Sequence, residues 1–483
     1  MKTNEGAFQY EHSLNHCVEF FSKAGSLYDT DKPSFYSNKE DILSLFQRSW
    51  ITNKEISFKL LLWLRDCRGG AGNRSGFRRC LKWLAKRDKD SKWISENIEL
   101  ISKYGRFDDL RSLFKTNSES EAVSLWIKNI LNKNVLAAKW AKRTDIPLFL
   151  KLKDDDHVRN MGDFRRLLSS IRSEHIIETK MCSNKWDEIN YKAVPSVAMS
   201  RFSNAFIKHD MEGFTDYKNK LANKETTINS SVLFPHDCVR NVKNGDVTIA
   251  NEQFESLPNY IGDNKSIMVL SDSSGSMVSP VSRSKSITAF DVTCGLALYC
   301  SSMIPKDSPF HKKFIQFCSE SKLTSWEGLK FSEAICSFDG AVGSTRIDLA
   351  LKLLLNIAKM FAISDDNMPK MLLICSDMQF SVATKFSLNE IRSGRGKKCD
   401  EPETLIEREL KNWDESGYSR PKIVYWNLCP YVGQPETVDN KNIALISGFS
   451  PSILKSVLSC DDLSPINVMM MALEKYDITI PKE

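Results

Sequence analysis

The residues of this 483-residue chain with the clearest capacity for chemistry are oxygen donors in its C-terminal half. Asp272-Ser273-Ser274-Gly275-Ser276 forms a D-x-S-x-S pattern at the end of an apolar run, SIMVLSD. On one tight turn, with a glycine easing the fold, Asp272, Ser274 and Ser276 can converge as one carboxylate and two hydroxyls. Gly343-Ser344-Thr345 opens a helical stretch and can deliver a further hydroxyl, from Ser344 or from Thr345. Asp377 follows a second apolar run, LLICSD. Oxygen ligands carrying few negative charges suit Mg²⁺, with Mn²⁺ as the alternative, and leave positions open for water or an incoming carboxylate. A D-x-S-x-S loop by itself can equally be a turn that caps a helix. The three features together carry the metal reading. No Walker A motif, G-x-S-x-G elbow or H-E-x-x-H is present, and the seven histidines are dispersed. A hydroxyl-rich site with no general base points to ligand capture, so the chain reads as non-enzymatic.

A second chemical feature is cationic. Between Arg65 and Arg87, in RDCRGGAGNRSGFRRCLKWLAKR, Asp66 is the single acid among many bases. On a helix at about 100° per residue, Phe77, Cys80, Leu81 and Leu84 share one face, with Arg78, Arg79, Lys82 and Lys86 opposite. The glycine loop before it can present backbone N–H groups at a helix N-terminus, as a phosphate cradle. Without further support, such a segment is an ordinary solvated face. The net charge of +6 leans toward this half of the chain. The basic N-terminal half can meet a polyanion, whereas the mildly acidic C-terminal half calls for a different partner.

These groups need elements to hold them. To about residue 230 the sequence reads as successive helices, among them ISFKLLLWLRDC, GFRRCLKWLAKR, AVSLWIKNILNK, DFRRLLSSIRSEHIIETKMC and SVAMSRFSNAFIKHD. Short helices with short connections imply stacked pairs, an α-solenoid. Beyond Asn241, apolar strand candidates at 266–272, 314–320, 371–377, 422–428 and 442–448 alternate with helix candidates at 288–303, 346–361 and 451–460. That alternation predicts a parallel, doubly wound α/β sheet buried on both faces. A linear boundary follows, with a helical region over 1–255 and an α/β domain over 256–483. Phe386–Asp414 reads as a polar surface excursion. SKYGRFDDL reads as a helix–helix corner, and the tryptophans of the helical half read as core.

The length favours two domains. The thirteen cysteines are scattered without a CxxC pair, so reduced core thiols are expected. No apolar run reaches the roughly 18 residues that span a bilayer. The N-terminus has no apolar signal core, which points to a cytoplasmic protein without a membrane partner.

The oxygen constellation resembles the metal-ion-dependent adhesion site of von Willebrand factor A domains. The resemblance implies that Asp272, Ser274, Ser276 and Thr345 touch the ion or its waters, with Asp377 acting mostly through water. LRDCRGGAGNRSGFRRCLKWLA, SKYGRFDDL, VLAAKWAKR, AVPSVAMSRFSNAFIKHD and LLICSDMQF together resemble an uncharacterised family of viral, plant and fungal proteins. Its layout is similar to that of the Ro autoantigen, a ring of HEAT-like helices (the TROVE module) with a von Willebrand A domain. That likeness implies binding of small or misfolded noncoding RNA by a ribonucleoprotein. It makes Arg65, Arg68, Arg74, Arg78, Arg79 and Lys82 candidate phosphate contacts, with Lys139, Lys142, Arg143, Arg165, Arg166 and Arg172 as weaker ones. The helical region is shorter than in Ro proteins, which puts ring closure in question. The alternative is a metal-dependent adaptor whose ion captures a partner's Asp or Glu.

Overall fold

The computed structural model describes residues 15–27, 41–172, 176–230, 232–262, 266–281, 287–340, 343–380, 405–429 and 440–482. It separates into two compact units. One comprises Met1–Thr52 with Phe234–Ala472, and the other comprises Asn53–Leu233 with Leu473–Glu483. Both units are therefore discontinuous, where the sequence suggests one linear cut. Among the described residues no helix is long and apolar enough to cross a membrane.

The first unit is built on a six-stranded sheet in the order β3-β2-β1-β4-β5-β6. Its strands are β1 (Ile267–Asp272), β2 (Lys313–Phe317), β3 (Ser321–Ser325), β4 (Met371–Ser376), β5 (Lys422–Asn427) and β6 (Ile443–Ser447). All neighbours pair in parallel except the hairpin of β2 with β3. The five strands read from sequence are all present. The sixth, β3, was missed because SKLTS is polar and largely uncovered, as befits an edge strand. One face of the sheet packs Met268, Leu270, Leu372 and Ile374 against Ile347, Leu351 and Leu354 of the helix Ile347–Met360. The helix Ala289–Ser302 packs against β1, β2 and β4 and is buried along nearly its whole length, so its sequence is apolar all round. This is a doubly wound α/β arrangement, as the alternation of strands and helices in the sequence predicts.

The N-terminal helix His16–Ala24 belongs to this unit. Ser447 Oγ donates to Phe21 O at 2.7 Å and accepts from the Gly25 amide at 3.0 Å. Ser26 Oγ donates to Asn427 O and accepts from the Gly448 amide. The helix is thus pinned to the carboxyl ends of β5 and β6. Of the expected excursion, Leu405–Glu415 is a helix that packs on Ile347–Met360, and 386–404 lies outside the described residues. The described cysteines form no disulfide and are mostly buried, although Cys182 and Cys336 are exposed.

The second unit is a run of helices in which each packs on near neighbours in sequence, such as Lys54–Arg65 on Arg74–Ala85 and Val135–Trp140 on Met161–Arg172. Such nearest-neighbour packing is that of a solenoid. WISENIELISKY breaks at Asn97 into two short helices. Asn97 Nδ2 donates to Trp93 O and to Thr479 O, so the C-terminal tail is held there.

The RDCRGG loop corrects the sequence reading. Its amides do not face outward as a cradle. Asp66 Oδ1 accepts from the amides of Arg68 and Gly69, and Asp66 O accepts from those of Gly70 and Gly72. Asn73 caps the following helix through the Gly76 amide. The other carboxylate oxygen of Asp66 accepts from Lys475 Nζ at 2.6 Å and Tyr476 Oη at 3.1 Å. The glycine at 70 is sterically required, because a Cβ there would meet Trp63 O at 2.1 Å.

The GRFDDL segment explains where two of the expected phosphate contacts go. Arg65, 5% exposed, donates Nε to Asp109 Oδ2 at 2.7 Å. Arg78 reaches Asp109 at 2.6 Å and Asp108 at 2.8 Å. Arg106 makes a two-pronged bond to Asp108, both contacts 2.9 Å, while its guanidinium stacks 3.9 Å from the Trp140 ring centroid. Burial works to raise the Asp108 carboxyl, but Arg106 and Arg78 hold it below its ordinary value. Asp109 Oδ2 also accepts from the Arg106 amide at 2.9 Å, closing the corner after Gly105. Arg65 is therefore structural, and Arg78 is largely so. Their charges are neutralised by two buried aspartates.

Removing one partner of a buried, hydrogen-bonded pair leaves the other charge uncompensated. Arg65→Ala is expected to lower unfolding free energy by about 3 kcal/mol. Denaturant titration read by circular dichroism checks it, and a change below ~1 kcal/mol would show that water replaces the guanidinium at Asp109.

Candidate functional site

In an open parallel sheet, ligands bind beyond the carboxyl ends of the strands where the strand order reverses. Here that point is β1, flanked by β2 and β4. The register sets Ser271 opposite Cys375, which leaves Asp272 beside Ser376 at the rim. Asp272 is fully buried. One of its oxygens accepts from the Ser274 amide at 2.9 Å, and the other accepts from Ser376 Oγ at 2.5 Å. Ser274 Oγ and Ser276 Oγ lie 3.1 Å apart, so the two hydroxyls do converge on one turn. That turn is anchored on both sides. The Ser273 amide donates to Phe317 O at the end of β2, and the Gly275 amide donates to Gly343 O at 3.1 Å.

The last bond joins the D-x-S-x-S loop to the loop of Gly343, Ser344 and Thr345. Gly343 has φ of +81°, and a Cβ there would sit 2.3 Å from Ser319 Oγ, so only glycine fits. Ser344 turns to Ser319, with hydroxyls 3.4 Å apart, whereas Thr345 is wholly buried. Asp377, 1% exposed, follows β4, and its Oδ1 accepts from the Gln379 amide at 3.1 Å. Burial first, and then the Asp377 charge, push the Asp272 carboxyl up to about 7. Two buried carboxylates that repel each other are thus ringed by hydroxyls and amides. Among the described residues no three His, Cys, Asp or Glu side chains converge into a group that could hold a metal ion. Sequence reading missed Ser376, which accepts from the Met378 amide while donating to Asp272. Its signal was its place one residue before a strand-terminal aspartate.

The basic candidates divide into neutralised and available charges. Arg68, Arg74 and Lys82 are exposed, Arg79 is half-buried, and Arg65 and Arg78 serve Asp109. Partial desolvation of its otherwise exposed side chain, and then the neighbouring cations Arg106 and Arg78, lower the pKa of Arg74. Arg166 is exposed and paired with Asp163 at 2.5 Å. The other five weaker candidates come together. Lys139, Lys142, Arg143, Arg165 and Arg172 line one cavity of about 610 Å³, with Ala141, Thr144 and Leu168. They come from the helix Val135–Trp140, the connection after it and the helix Met161–Arg172.

The architecture therefore combines a helical solenoid unit with a doubly wound α/β unit whose strand ends carry a rim of oxygen atoms. Residues 266–477 match the domain of unknown function DUF7788. Residues 3–103 and 151–277 match the domain of unknown function DUF2828. The chain is 24% identical to the uncharacterised protein L728 of Acanthamoeba polyphaga mimivirus, over 98% of this chain and 87% of that one. Among solved structures, the Ro (RSR) protein of Deinococcus radiodurans aligns with a TM-score of 0.46 and 10% identity, over 96% of this chain and 100% of that one. The chain thus resembles an uncharacterised family with a viral member, as its RDCRGG and YGRFDD segments suggest.

A cation that binds only the folded protein stabilises it by mass action. Saturating Mg²⁺ or Mn²⁺ is expected to raise the melting temperature of the wild-type chain. Asp272→Asn, which keeps the shape and removes the charge, should abolish that rise. Equal shifts in both proteins, read by differential scanning fluorimetry, would place the binding elsewhere.

Proposed function

We propose that this protein binds small or structured noncoding RNA through the cations of its helical unit, without catalysing a reaction. The sheet unit separately holds Mg²⁺ or Mn²⁺ through Asp272, Ser274, Ser276 and Thr345, with Asp377 acting through water. The observation that carries the RNA reading is the cavity of Lys139, Lys142, Arg143, Arg165 and Arg172, which among the described residues has no acid in its lining. Concentrated cations of this kind release the counterions of a polyanion, and that release drives much of nucleic-acid affinity. The exposed Arg68, Arg74 and Lys82 extend the same field. The resemblance carried by the RDCRGG and YGRFDD segments points the same way.

When bound, the cation supplies a Lewis-acidic position open to water or a carboxylate. Asp272 and the serine turn orient it, and Ser376 and the Ser274 amide orient Asp272. That donor set also favours a second reading, an adaptor whose cation captures a partner's Asp or Glu. EDTA separates the two, because RNA affinity should survive chelation whereas carboxylate capture should not.

The test is fluorescence anisotropy of a labelled single-stranded RNA across a salt series. Lys142, Arg143 and Arg165 are all exposed, so their joint change to Glu should cost stability only about 0.5 kcal/mol each. Affinity is expected to drop at least about tenfold, with the log–log salt slope flattened by about 0.7 for each phosphate that is no longer neutralised. Undiminished affinity in a folded triple variant would remove the cavity from the RNA-binding surface. A large loss of RNA affinity in EDTA would sink the separation of the two sites.

A further inference from the structure

The five cations of the cavity are not equivalent. Arg172 donates to Ala138 O at 2.8 and 2.5 Å and to Ala141 O at 2.6 Å, closing the carboxyl end of the helix Val135–Trp140. Lys139 lies 2.9 Å from Glu178. These two form the wall. Lys142, Arg143 and Arg165 are exposed, and among the described residues none of them has a carboxylate within ion-pair distance. Among the described residues the rest of the lining is Ala141, Thr144 and Leu168, with no aromatic ring and no acid.

We propose that this cavity takes a phosphomonoester or oligophosphate group, such as the 5′ end of an RNA, in preference to the internal phosphodiesters of a strand. Surfaces that follow a strand string their cations along a groove and interleave rings on which bases stack. Here the cations converge on one recess of about 610 Å³ and no ring is present to hold a base. Convergent charge is matched by a ligand whose own charge is concentrated. A phosphomonoester carries about −1.5 to −2 at neutral pH and three acceptor oxygens, and an oligophosphate carries more. An internal phosphodiester contributes a single charge. Arg143 and Arg165 can each grip two oxygens of one phosphate through the guanidinium fork. Only the RNA source of the group rests on the RNA-binding reading. The preference for dense phosphate rests on the cavity alone.

The experiment uses the full chain with one RNA sequence bearing a 5′-hydroxyl, a 5′-monophosphate or a 5′-triphosphate, together with inorganic tripolyphosphate. Affinity is expected to rise along that series of ends, with the triphosphate at least about tenfold tighter than the hydroxyl. Tripolyphosphate should bind directly by calorimetry and erase the difference between the ends by competition. Arg165→Gln, and independently Arg143→Gln, should bring the ratio of triphosphate to hydroxyl affinity close to one. Arg165→Lys, which keeps the charge and loses the fork, should retain part of it. Circular dichroism checks the fold of each variant. Equal affinity for all three ends, with no binding of tripolyphosphate, overturns this inference and leaves RNA binding standing. Binding of tripolyphosphate lost in Arg165→Gln, with no RNA bound whatever its end, upholds the phosphate cavity and overturns the RNA reading.

Discussion

A carboxylate taken out of water must find compensation, and each unit of this protein is organised around buried aspartates that find it differently. In the helical unit the compensation is complete. Asp66 accepts loop amides and Lys475, Asp109 accepts Arg65 and Arg78, Asp108 accepts Arg106, and Asp145 accepts Arg111. In the sheet unit, Asp272 is met by a hydroxyl and an amide, faces the charge of Asp377, and has no cationic side chain beside it among the described residues. The contrast separates aspartates fixed by cations from one whose burial is met only by neutral donors.

Compensation sorts the basic residues in the same way. Where cations and aspartates share a corner, as at GRFDDL, the charge is consumed in fixing helix against helix. Where the local sequence lacks acids, as from Lys142 to Thr144, the charge remains available. The corner and the cavity adjoin in space through Trp140, whose ring carries Arg106 on its face and whose neighbour Lys139 lines the recess. The rigid, neutralised corner thus leads directly into the element that presents unneutralised charge.

The sheet unit depends on a constraint of chain path. Its strands begin after residue 266, yet the helix His16–Ala24 is bound to the ends of β5 and β6 by hydrogen bonds through Ser26 and Ser447. Gly25 allows this because its backbone lies against that of Ser447. In the other direction, the tail after Leu473 returns to the helical unit at Asp66 and Asn97. Each unit is completed by a terminus distant in sequence.

The amino-acid sequence by itself determined the helical run, the five buried strands and the D-x-S-x-S turn. Each of these depends on local periodicity or on residues within one loop, and local patterns survive without knowledge of the fold. β3 was invisible, because a polar edge strand has neither an apolar run nor a clear alternation. The cavity was legible as scattered weak candidates, yet nothing in one dimension said that five of six would converge while Arg166 would not. Ser376 escaped because its role arises from the register of β4 against β1. The ion pairs of Arg65 and Arg78 were hidden for a related reason. A cation shows its charge in the sequence, but whether that charge is free depends on a carboxylate many residues away, and only the tertiary structure decides which aspartate arrives.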